Sequence, residues 1–220
     1  MDAKTALKVG ALVCALQGGG AMALTLWDNG GPAVTNLGGS LMSDTQQAQD
    51  FVITSASDLT AVRFWSLEAS PADYLGSIFY EVRNNASGAP GASVVASGSA
   101  AATRTAAGSV LGFNQFQNDL NVSIVNLAAG TYWLTLHDGP LASVAYKDYY
   151  WSWADIGGTN LPTNRGQEFG LDPLATAWST NDQEHAFAVF GNVTAVPEPE
   201  GWALAGAALA ALVVLRRRQT

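Results

Sequence analysis

Between residues 50 and 190 apolar and polar residues alternate with a period of two through many short segments, the spacing of strands that bury one face. Ile78, Tyr80 and Val82 fall on one side of the chain, opposite Phe79, Glu81 and Arg83. Leu120, Val122 and Ile124 oppose Asn121 and Ser123, and Tyr132, Leu134 and Leu136 oppose Trp133, Thr135 and His137. Segments 50–54, 59–67, 77–83, 92–97, 110–116, 120–125, 131–137, 146–153 and 185–190 carry β-branched or aromatic residues between turn-forming clusters, and each is a predicted strand. About nine short strands with no sustained 3.6-residue apolar period between them predict an all-β, single-domain antiparallel β-sandwich and argue against a parallel α/β fold.

The turns refine that picture. Asn84 to Gly91 is a run of Asn, Gly, Ser and Pro, so 92–97 should return antiparallel to 77–83. Val122 to Leu136 reads as a second hairpin about Leu127-Ala128-Ala129-Gly130. Ala96 to Ser109 is rich in Ala, Ser, Thr and Gly with Arg104 as its one charge, and reads as two small-residue strands around an exposed loop. Residues 154–183, with Gly157, Gly158, Pro162, Gly166, Gly170 and Pro173, read as an irregular connection, and one of that length in a compact domain is usually functional or mobile.

The two ends depart from the β pattern. Lys4 and Lys8 precede an apolar stretch from Val9 to Leu16, and Ala21-Met22-Ala23 puts small residues before a signal-peptidase cut, so residues 1–23 are expected to be a Sec leader cleaved after Ala23. At the other end Val196-Pro197-Glu198-Pro199 cannot continue a strand or helix, because proline fixes φ and lacks an amide donor. An uncharged run, 201–215, follows, with Trp202, Leu204, Leu209, Leu212, Val213, Val214 and Leu215, and then Arg216, Arg217 and Arg218. As a helix those 15 residues would rise roughly 22 Å, short of a hydrocarbon core of about 30 Å. Snorkelling arginines and Trp202 at the opposite interface make up the deficit for a temporary anchor, with the basic end cytoplasmic by the positive-inside rule.

This order of Pro-Glu-Pro, apolar segment and arginine cluster resembles the PEP-CTERM sorting signal of proteins that Gram-negative, exopolysaccharide-producing bacteria export and process with an exosortase. The resemblance covers residues 196–220 and implies a processing partner, a transient inner-membrane stage and final residence at the cell surface or in the extracellular matrix. Residues 45–137, with the strand and loop at 78–91 and the Leu127-Ala128-Ala129-Gly130-Thr131-Tyr132-Trp133 phrase, are similar to jelly-roll-type sandwiches paired with this signal, a likeness that carries over no catalytic residue.

Charge and cysteine usage narrow the function of residues 24–195. Setting aside Asp2, Glu198, Glu200 and the five cations of the two ends leaves 15 acidic and 5 basic residues, a net charge near −10 that would be repelled by nucleic acid. The one cysteine, Cys14, sits in the leader, where Val13 before it is too large for a lipobox. Without it the domain has no disulfide, thiolate catalyst or cysteine metal site.

Candidate chemistry centres on Tyr146 to Trp153. As a strand it would put Tyr149, Trp151 and Trp153 on one face and Tyr146, Asp148 and Tyr150 on the other. Aromatic faces stack on the axial C–H groups of sugar rings while Asp148 and Asp155 accept from hydroxyls, so this run is the candidate glycan-binding surface. The competing reading places one of its faces in the core. Glu168, Asp172, Asp182 and Glu184 could include the acid pair of a carbohydrate hydrolase or lyase. His137 and His185, the two histidines, stand in no metal-ligand spacing. Asp28-Asn29-Gly30 and Asn181-Asp182 with Glu184 supply hard oxygens for calcium but read more simply as turns, so no cofactor or metal is expected. The sequence thus favours a non-catalytic envelope or matrix protein with affinity for exopolysaccharide or another glycan, the alternative being an extracellular carbohydrate-active enzyme.

Overall fold

The computed structural model describes residues 23–35, 37–154, 166–170, 177–181 and 183–194. The strands are β1 (Leu24–Asp28), β2 (Gly39–Leu41), β3 (Thr45–Ile53), β4 (Ser57–Glu68), β5 (Ile78–Ala86), β6 (Ala89–Ala100), β7 (Thr103–Val110), β8 (Phe113–Leu127), β9 (Gly130–Asp138), β10 (Tyr149–Ser152), β11 (Gln167–Gly170), β12 (Ser179–Thr180) and β13 (Phe187–Val193). A 3₁₀ turn at Pro71–Asp73 is the one helical element among the described residues. All pairings between strands are antiparallel and form two sheets, as a β-sandwich requires.

In the first sheet β4 is the spine. It pairs with β8 along one edge, and β7 lies beyond β8. Along its other edge β13 and then β10 pair with successive stretches of β4, and β1 and β2 lie outside them. The second sheet runs β12-β11-β3-β9-β5-β6. Phe64, Leu120, Val122, Ile124, Trp151 and Phe187 from the first sheet meet Phe51, Ile53, Ile78, Tyr80, Leu134 and Leu136 from the second in a dry core. Trp151 is its largest anchor beside Phe64 and Phe187, whose rings meet it edge-on at 6.3 and 5.7 Å.

Several sequence expectations need correction. The segment 122–136 is not a hairpin: β8 belongs to the first sheet and β9 to the second, so Ala128-Ala129 carries the chain across the sandwich after Asn126 takes a φ of 55°. The strands expected at 110–116 and 120–125 form one, β8, because Asn118 turns inward to donate to Ser66 Oγ (2.9 Å) while Asp119 pairs with Arg63 (2.7 Å). Leu111-Gly112 is instead the turn between β7 and β8, with φ of 51° and 87°. The run 146–153 contributes only the four residues of β10. Within 154–183, β11 and β12 are ordered strands and not irregular connection.

The expected hairpin of β5 and β6 is present. It closes on Ser87-Gly88, both at positive φ (55° and 85°), the backbone of a two-residue turn matched to strand twist. The small-residue segment 96–109 also divides as expected, its first part in β6 and its second in β7, with the crossover between sheets at Ala101-Ala102.

Candidate functional site

Strand β10 separates the predicted aromatic run into two environments. Tyr149 and Trp151 point into the sandwich and are fully buried, which corrects their assignment to a glycan-binding surface: the core reading holds for both. Trp151 Nε1 donates to Ala186 O (3.0 Å), and its ring lies 4.6 Å from that of His185. Trp153 is half-buried, donates from Nε1 to Ser40 Oγ (3.1 Å) and packs so closely on Gly38 that a Cβ there would lie 2.5 Å from its ring. Asp155 lies outside the described residues, as do Val196 to Pro199, the 201–215 segment and Arg216 to Arg218.

The opposite face of the run is open. Tyr146 is 60% exposed, and its hydroxyl and that of half-buried Tyr150 both donate to Asp148 Oδ1, at 3.0 and 2.9 Å. Partial burial, with the bonds to Tyr146 and Asp148, raises the Tyr150 pKa and keeps the phenol protonated as a donor. Tyr150 borders an apolar groove of about 190 Å³ on the outer surface of the first sheet, with Gly38, Gly39, Leu67, Leu111 and Phe113 as its other walls. Phe113 meets Tyr150 edge-on, centroids 5.6 Å apart and planes at 83°. A Cβ on Gly39 would stand 2.8 Å from both Trp151 O and Tyr150 Cβ, so glycine is what allows β2 to pass beneath the groove.

Leu111 adds a second mark to this groove. It holds a left-handed φ of 51° and is 67% exposed, in a turn where Asn or Gly would sit without strain. A bulky residue kept in a costly conformation beside a concave apolar surface is a pattern of binding sites. Alternation put Tyr146, Asp148 and Tyr150 on one face of the run, and the burial of Tyr149 and Trp151 shows that this face is the outer one. The walls from β2, β4 and the β7–β8 turn carry no local signal and come together only through sheet pairing.

Both histidines lie in the interior. His185 is fully buried, its ring nitrogens contacting Ser40 Oγ (2.9 Å) and Gln49 Oε1 (3.1 Å), and burial lowers its pKa to about 3, so the imidazole is neutral. Glu184 beside it is buried and accepts from Gln49 Nε2 at 2.7 Å. His137 is buried between the carbonyls of Gly139 and Ser43, with its pKa lowered by burial. Glu168 lies half-buried on β11, and Asp172 and Asp182 fall outside the described residues. Asp28 accepts from Gly30 N (2.9 Å) as a turn residue does, whereas Asn29 Nδ2 donates to His185 O (2.8 Å) and ties the end of β1 to the distant chain before β13. Among the described residues no three His, Cys, Asp or Glu side chains gather to hold a metal ion.

One acid pair escaped the sequence reading. Glu68 ends β4 and Asp138 ends β9, so the two sheets bring inward-facing carboxyls to the same end of the sandwich from 70 positions apart. Glu68 accepts from Ser66 Oγ (2.7 Å) and is ion-paired with Arg104, whose guanidinium lies between the rings of Phe116 (4.2 Å) and Tyr74 (4.5 Å). Asp138 accepts from Leu75 N at 3.1 Å. Burial raises both acids, Asp138 to about 7, with the charge of Glu68 adding to the effect on Asp138. Neither carboxyl reaches solvent: the Pro71–Asp73 turn and the residues up to Leu75 close this end.

Comparison with protein-family models and with curated proteins found no match for this chain. Among the described residues no helix is long and apolar enough to cross a membrane.

Proposed function

We propose that this chain is a non-catalytic exported envelope or extracellular-matrix protein that binds exopolysaccharide or another glycan through the outer face of its first sheet. The observation that carries the binding is the groove beside Tyr150. Phe113, Leu111 and the Tyr150 ring offer apolar surface to the C–H face of a pyranose, and Asp148 with the two phenol oxygens bonded to it offers acceptors to its hydroxyls. The groove is smaller than the roughly 300–1,000 Å³ of drug-sized pockets, which suits one sugar ring of a longer polymer. Asp148 stays in the proposed site, and Tyr146 and Tyr150 take the place of the buried Tyr149 and Trp151 and of Trp153, whose ring packs on Gly38.

Delivery rests on the two ends. A Sec leader cut after Ala23 would release a chain whose first strand begins at Leu24, and the PEP-CTERM-like tail would hold it at the inner membrane through a 201–215 helix until an exosortase acts. The jelly-roll-like topology belongs to the same reading. In the alternative enzyme, Glu68 and Asp138 beside Tyr149 would be the acid pair, and catalysis there would require the Pro71–Leu75 cover to open.

The test is retention on the polysaccharide of the producing strain, immobilised. Tyr150→Ala and Asp148→Asn should each lower retention severalfold while the melting curve stays close to wild type. Retention unchanged in both, in proteins shown to be folded, would reject the groove as the site.

A further inference from the structure

The edges of the two sheets differ in how they are protected. A free strand edge is a row of unpaired amides and carbonyls, and soluble proteins guard such edges with charge, proline, bulges or brevity. Here β12 has two residues, β2 has three, and β1 has five and ends in Asp28. The remaining edges are long: β6, with 12 residues, borders the second sheet, and β7, with eight, borders the first. Among the described residues β6 pairs only with β5, and β7 only with β8.

Neither long edge is guarded by charge. Residues 84–118 contain one charged side chain, Arg104, and that one turns inward to Glu68. Pro90 stands at the start of β6, against Asn85, and the Ser93 amide is held by Asn84 Oδ1, so protection covers only the turn end. From Val94 to Ala100 the strand runs Val-Val-Ala-Ser-Gly-Ser-Ala, with Val94 and Val95 42% and 47% exposed and Ser97 and Ser99 turned outward. Side chains this small leave the backbone row open to a partner strand. Since the chain passes directly from β6 to β7 through Ala101-Ala102, the two open edges lie on the same side of the sandwich.

We propose that the β6–β7 side is a homodimer interface, in which β6 pairs antiparallel with β6 of a second copy and makes the two second sheets continuous. Three observations select a second copy as the occupant. Antiparallel pairing of a strand with itself is a closed two-fold contact, and it places no like charges opposite each other only if the strand carries none, as here. A two-fold axis normal to the sheets also brings β7 to face its own copy, so one operator serves both edges. Finally, the rest of the domain is strongly acidic, and this is the long segment over which two copies approach without acid meeting acid. Seven residues from Val94 to Ala100 span about 23 Å at roughly 3.3 Å each, ample for a register-specific ladder.

Single cysteines at positions 94, 95, 97 and 99, placed one at a time in the full-length chain with Cys14→Ser, test the pairing by oxidative cross-linking in a mild detergent. The control is Ser123→Cys, an exposed position on β8. A cysteine near the two-fold axis should cross-link roughly tenfold or more faster than the control, because pairing raises the effective thiol concentration. Only one or two neighbouring positions should do so. With the cysteine that cross-links fastest kept in place, Ser97→Lys and Ser99→Lys, at whichever of the two it does not occupy and in a chain shown by circular dichroism to be folded, should abolish the cross-link. Equal rates at all positions, no cross-link, or a cross-link insensitive to the lysines would each overturn the interface, the last by assigning dimerisation to another surface.

Discussion

Asparagine at position 138 should stabilise the protein, and by an amount that depends on pH in a defined way. Asp138 is fully buried, and burial with the nearby charge of Glu68 raises its folded pKa to about 7 from an ordinary value of 3.8. Between those values the folded state holds the proton and the unfolded chain has released it. Folding stability therefore falls as pH rises through this window. A tenfold change in proton affinity is worth about 1.4 kcal/mol, so the interval from 3.8 to about 7 amounts to about 4 kcal/mol, absent below pH 3.8 and fully expressed above pH 7. Asparagine stays neutral throughout, and its amide oxygen can still accept from Leu75 N. Urea unfolding followed by tryptophan fluorescence, on wild type and Asp138→Asn from pH 4 to 8, should give curves that diverge with rising pH, the variant becoming the more stable by a few kcal/mol near pH 8. A stability gap that does not change with pH, or that closes towards pH 8, would refute the protonated, buried Asp138.

His185 should produce the opposite slope. Its folded pKa is lowered to about 3, so stability present above pH 6.5 is lost as pH falls towards 3, and His185→Gln should flatten that limb in the same titration. Trp151→Ala removes the largest core anchor, which also stacks on His185, and should cost about 3–5 kcal/mol in thermal or urea unfolding, whereas Tyr150→Ala should cost far less. Replacing Pro197, Glu198 and Pro199 by alanine should leave full-length protein in the membrane fraction on immunoblots, and unchanged processing would sink the sorting-signal reading.

The fold was legible wherever one face of a strand is dry and the other wet, as in β5 and the second half of β8. It was illegible where polar residues are buried. Gln46, Gln47 and Gln49 form the first half of β3 and look like loop, yet each is satisfied: Gln46 by Glu81 (3.0 Å) and Thr135 (2.7 Å), Gln47 by Leu41 O (2.8 Å), Gln49 by Glu184 (2.7 Å). Both faces of β3 and β9 are covered, since Trp178 lies on the outer side, 5.4 Å from Phe169 and 5.8 Å from the Arg83 guanidinium carbon. Leu111 hid a turn because leucine is not a turn residue. In the aromatic run, alternation assigned residues to two faces correctly but could not say which face was wet. Only the pairing of Tyr149 with Glu68 and of Trp151 with Ser66, on the inward side of β4, decides it.

The first described strand pairs with the last: Leu24 sits opposite Gly191, and β13 then seats along β4 from Phe64 to Ser57. Such a sheet cannot close until residue 193 is available, so long-range loop closure comes late and folding should be slow for the chain's size. On the proposed export route this timing is useful. The polypeptide would cross the inner membrane still lacking its central strand partner, and the sheet would complete itself only as the residues leading into the tail emerge, leaving the newly closed domain beside the membrane where processing takes place.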